Sequence, residues 1–185
     1  DDDQLRPVLR ELLTSEQFFE SAQRRALNKS PLDVVLGSLR GLEGSVRWST
    51  VAELLADLGQ NVFEPPSVKG WDGGRLWINT STLFVRYNTA VFLAGGRGEV
   101  PMAKNKKPGK FDMKMRPAES TFNPKPSKSD AEEVVDEWLA RLIQRPVEDE
   151  KRKVLIEALG DRPTDENAIK KMVQLIVSMP DYQLC

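Results

Sequence analysis

The most informative part of the chain is residues 63–79, with the sequence FEPPSVKGWDGGRLWIN. It combines a Pro-Pro pair, a Gly-Gly pair and two tryptophans with interleaved charges, a composition typical of one defined loop conformation. None of its residues has the spacing of a known nucleophile, metal cage or phosphate-binding loop. We name residues 61–80, which include this stretch, the signature loop. It predicts a specific backbone shape and no particular reaction.

The segments on both sides of the signature loop have helical periodicity. Upstream, an apolar stripe at three- and four-residue spacing predicts a first helix. Its members are Leu5, Val8, Leu9, Leu12 and Leu13. Downstream, residues 81–94 predict another helix, whose larger apolar side chains are Leu83, Phe84, Tyr87, Val91 and Phe92.

Helix start and stop signals divide the rest of the chain. Hydroxyl side chains at cap positions predict helix starts. They are Thr14, whose helix would continue to about Ala26, Ser30 with Pro31 and Asp33, Thr50, Ser129 and Thr164. Stop signals stand at Gly44, Gly59, Gly95, Pro146 and Gly160. We expect an all-α, compact domain of about eight helices.

A connector of different composition interrupts this domain. Residues 101–128 contain five of the twelve prolines and eight basic against two acidic residues, a net charge of +6 in a chain whose total is −1. Such a Pro- and Lys-rich segment has too few apolar residues for a core of its own. Phe111, Met113, Met115 and Phe122 are its candidate anchors on the acidic remainder of the chain.

These boundaries predict three parts. The N-terminal helical part comprises residues 1–98 and contains the signature loop. The connector comprises residues 99–128. The C-terminal part, residues 129–185, carries three helices that pack on the first part.

Two features of the composition exclude several kinds of chemistry. The chain has no histidine, so neither a Ser-His or Cys-His nucleophile pair nor an imidazole metal site can form within it. Its single cysteine is Cys185, which cannot close an internal disulfide or build a thiolate zinc site. No apolar run has the length of a membrane span. We predict no cofactor, no metal and no membrane-spanning segment.

The signature loop has two interpretations. Trp71 and Trp77 could stack on sugar rings while Lys69, Arg75 and Asn79 hydrogen-bond hydroxyl groups, with Glu64 and Asp72 as a weak candidate acid and base pair. The alternative that we favour is a structural plug. In that plug the indoles fill the core and Asp72 pairs with Arg75.

The residues that surround these features resemble a known bacterial family. The likeness lies in PPSVKGWDGGR at 65–75, LRPVLR at 5–10, KSPLD at 29–33, NTSTL at 79–83 and SMPDYQLC at 178–185. It identifies the chain as similar to the family named domain of unknown function 1800. The resemblance implies a C-terminal portion of a larger protein, often an exported one. It also implies a histidine-containing stretch farther upstream, which nothing in this chain matches.

Together these observations predict a non-catalytic scaffold or interaction module whose partner is a protein or the upstream part of a parent chain. The alternative is a carbohydrate-binding or carbohydrate-cleaving site at the Trp71 and Trp77 loop. The basic connector would also attract a polyanion. The acidic remainder and the lack of a nucleic-acid reader fold argue against nucleic acid as the partner.

Overall fold

A computed structural model describes residues 4–20, 26–95, 120–125 and 128–185. These residues form eight α-helices and no β-strand, which confirms the predicted all-α class. The helices are α1 (Leu5–Thr14), α2 (Glu16–Phe19), α3 (Pro31–Gly41), α4 (Trp48–Asp57), α5 (Thr80–Leu93), α6 (Ala131–Leu142), α7 (Asp149–Leu159) and α8 (Glu166–Ser178). Within the same ranges, no helix has both the length and the apolar character needed to span a bilayer.

Helix α3 begins where the sequence predicted. Ser30 Oγ accepts a hydrogen bond from the Asp33 amide at 3.2 Å, and the Asp33 carboxylate accepts one from the Ser30 amide at 3.0 Å. This reciprocal pair is a capping box, which gives partners to two amides that a helix start leaves unpaired. Pro31 then occupies the first turn, where its missing amide hydrogen costs nothing.

Three other predicted caps are displaced by one residue. The caps are Ser15, Asp130 and Asp165 rather than Thr14, Ser129 and Thr164. Each of the three has the extended backbone that a cap position requires. Thr14 stays inside α1, where its hydroxyl donates to the carbonyl of Arg10 at 2.7 Å. Helix α2 ends at Phe19, well before Ala26, because Glu20 has an extended backbone.

The predicted cap at Thr50 is wrong. Helix α4 begins two residues earlier, at Trp48, and its N-cap residue Arg47 makes no side-chain capping bond. Thr50 and Val51 share the buried face of α4 with Leu54 and Leu55. Packing of this face against the core, rather than a local cap, therefore decides where α4 starts.

A single apolar core contains residues from α3 to α8 and from the connector. Phe122 is 2% exposed and meets Trp138 of α6 edge to face, with ring centroids 5.6 Å apart. Other core residues without exposed surface include Val35, Leu54, Leu93, Ile143, Leu155, Ile169 and Ile176. The helices on the two sides of the connector therefore share one core.

The described end of the connector is held by specific contacts. Thr121 and Ser45 exchange two backbone hydrogen bonds of 3.0 Å, and Ser120 Oγ donates to the carbonyl of Leu93 at 2.9 Å. Phe122 is buried as an anchor, whereas Phe111, Met113 and Met115 lie outside the described residues. The division of the chain at 1–98, 99–128 and 129–185 stays a prediction.

The turn Pro180–Gln183 after α8 joins several distant segments. Asp181 accepts hydrogen bonds from Arg145 at 2.5 Å and Lys151 at 3.0 Å, which ties the turn to the region between α6 and α7. The Tyr182 hydroxyl lies 2.8 Å from Ser38 Oγ of α3. The chain end is therefore an integral part of the core.

The Asp181 carboxylate predicts a pH dependence of stability. Burial alone would raise the pKa of Asp181, but hydrogen bonds from Arg145 and Lys151 outweigh burial and lower it. A lowered pKa in the folded state stabilises the fold above the ordinary carboxyl pKa, and this stabilisation is lost as the pH falls through the folded value. We expect Asp181→Asn to lower the free energy of unfolding by about 1 kcal/mol at pH 7, because both cationic partners are partly exposed to solvent.

Urea unfolding at pH 7 and at about pH 3 measures this difference. The difference in the free energy of unfolding between wild type and Asp181→Asn should be smaller at the lower pH. The matched control is Asp161→Asn, which removes an exposed carboxylate outside these ion pairs and should leave stability unchanged. A gap of equal size at both pH values would contradict the assignment.

Candidate functional site

The signature loop begins at residue 61, four residues after the end of α4, and finishes at the first residue of α5. Its backbone is built from short turns, with hydrogen bonds from the Glu64 amide to the Asn61 carbonyl at 3.1 Å and from the Gly70 amide to the Ser67 carbonyl at 3.0 Å. A 3-10 turn at Gly74–Trp77 follows. Gly73 and Gly74 enter that turn with φ of 74° and 58°, which explains the Gly-Gly pair.

The two indoles lie at the surface of the domain. Trp71 and Trp77 are both partly buried, and neither belongs to the apolar core. The prediction that they fill the core is therefore wrong. Core packing at this end of the molecule comes from helix side chains such as Leu54 and Leu58 instead.

The charged side chains of the loop are exposed and form local contacts. Lys69 Nζ donates to Asp72 Oδ1 at 3.1 Å, so the predicted pair of Asp72 with Arg75 is wrong. The Glu64 carboxylate accepts a hydrogen bond from the Asn61 amide group. Arg75 stands exposed on the 3-10 turn.

Glu64 and Asp72 lack the surroundings that a hydrolytic pair requires. A glycosidase holds one carboxyl group in an apolar pocket so that it keeps its proton at neutral pH. Both carboxylates here are exposed to solvent. No group of three or more acidic or cysteine side chains within the described ranges could hold a metal ion. Neither Glu64 nor Asp72 therefore has the apolar surroundings of a glycosidase general acid.

Asn79, a candidate ligand-binding residue, has a structural contact instead. Its Oδ1 accepts a hydrogen bond from the Thr82 amide at 2.9 Å, and Thr82 Oγ1 accepts one from the Asn79 amide at 2.9 Å. The pair is the capping box of α5. Asn79 therefore couples the end of the signature loop to the start of this helix.

Comparison with known protein families identifies the family of the chain. A family model described as protein of unknown function, DUF1800, matches residues 1–184. The chain belongs to this family. No curated protein and no solved structure matches it.

In this DUF1800 chain, most of the large apolar residues of α5 do not lie on its buried face. Leu83, Phe84 and Tyr87 are exposed, although Phe92 is buried as expected. The inner face consists of Arg86, Thr89, Ala90 and Leu93, all fully buried. The sequence signal for this face was the three- and four-residue spacing that places Arg86, Thr89, Ala90 and Leu93 on one side of the helix.

The exposed side of α5 borders a shallow pocket of about 360 Å³. Tyr87 and Val91 of α5, Ala158 of α7 and Leu175 of α8 supply its apolar lining, and Lys171 stands at its edge. The pocket is distant in sequence from the signature loop and contains none of the predicted site residues.

The capping role of Asn79 predicts a loss of stability when its side chain is removed. Asn79→Ala should lower the free energy of unfolding by about 1 kcal/mol, because the Thr82 amide loses its partner. Asn79→Asp keeps an acceptor at the same place and should restore most of the loss. Denaturant unfolding of the three proteins measures the effect, and equal stability of the Ala variant and wild type would contradict the capping assignment.

Proposed function

We propose that this chain is a non-catalytic interaction module, the C-terminal portion of a larger protein, and that its exposed apolar helix α1 contacts the upstream part of that protein. The observation that carries the proposal is the exposure of the whole apolar stripe of α1. All five of its apolar side chains are between 49% and 67% exposed, and α1 has no buried residue.

An amphipathic helix normally buries such a stripe. Monomeric proteins rarely expose large contiguous apolar patches, and those that do use them for association. Phe18 and Phe19 of α2 are also about half exposed and lie against each other edge to face, with centroids 5.2 Å apart. They add aromatic surface directly after α1.

The energetic gain from covering α1 is large enough to matter. Burial of the remaining exposed half of each stripe residue would contribute about 1 kcal/mol per side chain. Association would consume part of this total, but a partner already joined through the same polypeptide loses less freedom than a separate molecule. The upstream part of a parent chain is therefore the favoured partner.

Thiol labelling tests whether α1 is covered. In a Cys185→Ser background, Val8→Cys places one thiol on the apolar stripe, at a position that is 62% exposed. We expect its labelling rate to be at least about tenfold slower in a longer parent protein than in the 185-residue chain, because the partner surface excludes the reagent.

The matched control is Lys153→Cys on the exposed side of α7, whose labelling rate should be the same in both proteins. Equal rates for Val8→Cys in the two proteins would contradict the proposal. A slower rate for both positions would indicate general protection rather than a contact at α1.

A carbohydrate site at the signature loop is the second candidate. The partial exposure of Trp71 and Trp77, beside the exposed Lys69 and Arg75, supports it. Indole faces stack on pyranose rings, and the two cations would donate to hydroxyl groups. The solvent-exposed carboxylates favour binding without cleavage.

Calorimetric titration with a panel of soluble oligosaccharides tests this candidate. If the loop binds sugar, Trp71→Ala should weaken binding by about tenfold through loss of the stacking surface. Trp48→Ala, which removes another indole that is 78% exposed, should bind as wild type does. Absence of binding by wild type, or equal affinities of the Trp71→Ala variant and wild type, would eliminate the site.

A further inference from the structure

The Arg86 guanidinium is fully buried and incompletely bonded. Its Nε donates to Gln183 Oε1 at 3.0 Å and its Nη2 donates to the carbonyl of Lys29 at 2.5 Å. Its Nη1 is also buried and has no hydrogen-bond partner in the described part of the chain. Buried polar groups are almost always paired, so this nitrogen requires an explanation.

The charge of Arg86 is also incompletely compensated. Both of its bonded acceptors are neutral, and no carboxylate of the described residues forms an ion pair with it. Burial lowers the pKa of Arg86. The negative charge of Asp33, which forms no ion pair with Arg86, opposes this shift. The Asp33 carboxylate already accepts hydrogen bonds from Ser30. Helix α3 begins at Pro31, two residues after Lys29, and the positive end of its dipole adds to the positive potential.

Thr89 of the same helix supplies a second buried group, its Oγ1, without a hydrogen-bond partner among the described residues. Residues three apart on a helix lie on the same face, so Thr89 and Arg86 are neighbours on the inner side of α5. The buried side of α5 thus carries two donors without a described partner, one of them charged, one helical turn apart.

We propose that Arg86 Nη1 and Thr89 Oγ1 bind a small inorganic anion of the size of chloride. A water molecule would accept both hydrogen bonds but would leave the buried positive charge unbalanced. A halide accepts both bonds and also compensates the guanidinium charge, and charged groups inside proteins are normally paired. The anion would hold α5 to the chain end and to the segment that precedes α3.

Thermal unfolding in matched salts tests the proposal in solution. We expect the Tm in 100 mM sodium chloride to be about 2–4 °C higher than in 100 mM sodium gluconate, because an ion that binds only the folded state raises stability. Thr89→Val keeps the shape of the side chain and removes one donor, so it should lose at least about half of this difference. Thr50→Val, at another buried helical threonine, should keep the full difference.

Crystals grown in sodium bromide provide a second measurement, which does not depend on a variant. An anomalous bromide peak within hydrogen-bond distance of Arg86 Nη1 is expected. A water molecule at that position without anomalous signal, or equal Tm values of wild type in chloride and gluconate, would overturn the proposal.

Discussion

The hydrogen bonds of the buried Arg86 guanidinium hold together three parts of the chain that are far apart in sequence. Arg86 belongs to α5, Gln183 to the last turn and Lys29 to the segment before α3. Because an unpaired buried guanidinium is very costly, the stability of the packed core depends on these partners. Tyr182 and Asp181 add bonds from the same turn to Ser38, Arg145 and Lys151. The chain end therefore organises the whole helical domain.

Helix α5 separates the structural side of the molecule from the side available for contact. Its inner face contains Arg86, Thr89, Ala90 and Leu93. Its outer face exposes Leu83, Phe84 and Tyr87, and the last of these lines the pocket toward α7 and α8. The Asn79 capping box sets where this helix begins and hence how the signature loop is presented. The exposed apolar stripe of α1 is a second such surface, and it is not buried by the described residues. These are the surfaces through which the proposed interaction module would make its contacts.

Local chemistry explains which features could be predicted from the sequence. A cap needs only a side-chain oxygen and its own backbone, so the start of α3 at Ser30 and Pro31 was predicted correctly. The stops at Gly59 and Gly160 were also predicted correctly, because glycine readily adopts the positive φ that both residues have. Neighbouring oxygens compete for one cap, which explains the one-residue errors at Ser15, Asp130 and Asp165. The signature loop was recognised, yet its two indoles, which we expected in the core, lie at the surface of the domain.

The helical class, the approximate positions of several helix ends and the family follow from residue identity and short-range spacing, as does the lack of a histidine or an internal disulfide in this chain. Which face of each helix is buried depends on contacts between segments that are distant in sequence. An amphipathic pattern indicates that a helix has an apolar face, but it does not show which other element, if any, packs against that face. Thus the leucines of α1 are exposed, whereas α5 buries an arginine, because distant acceptors at Lys29 and Gln183 bond two of its three guanidinium nitrogens.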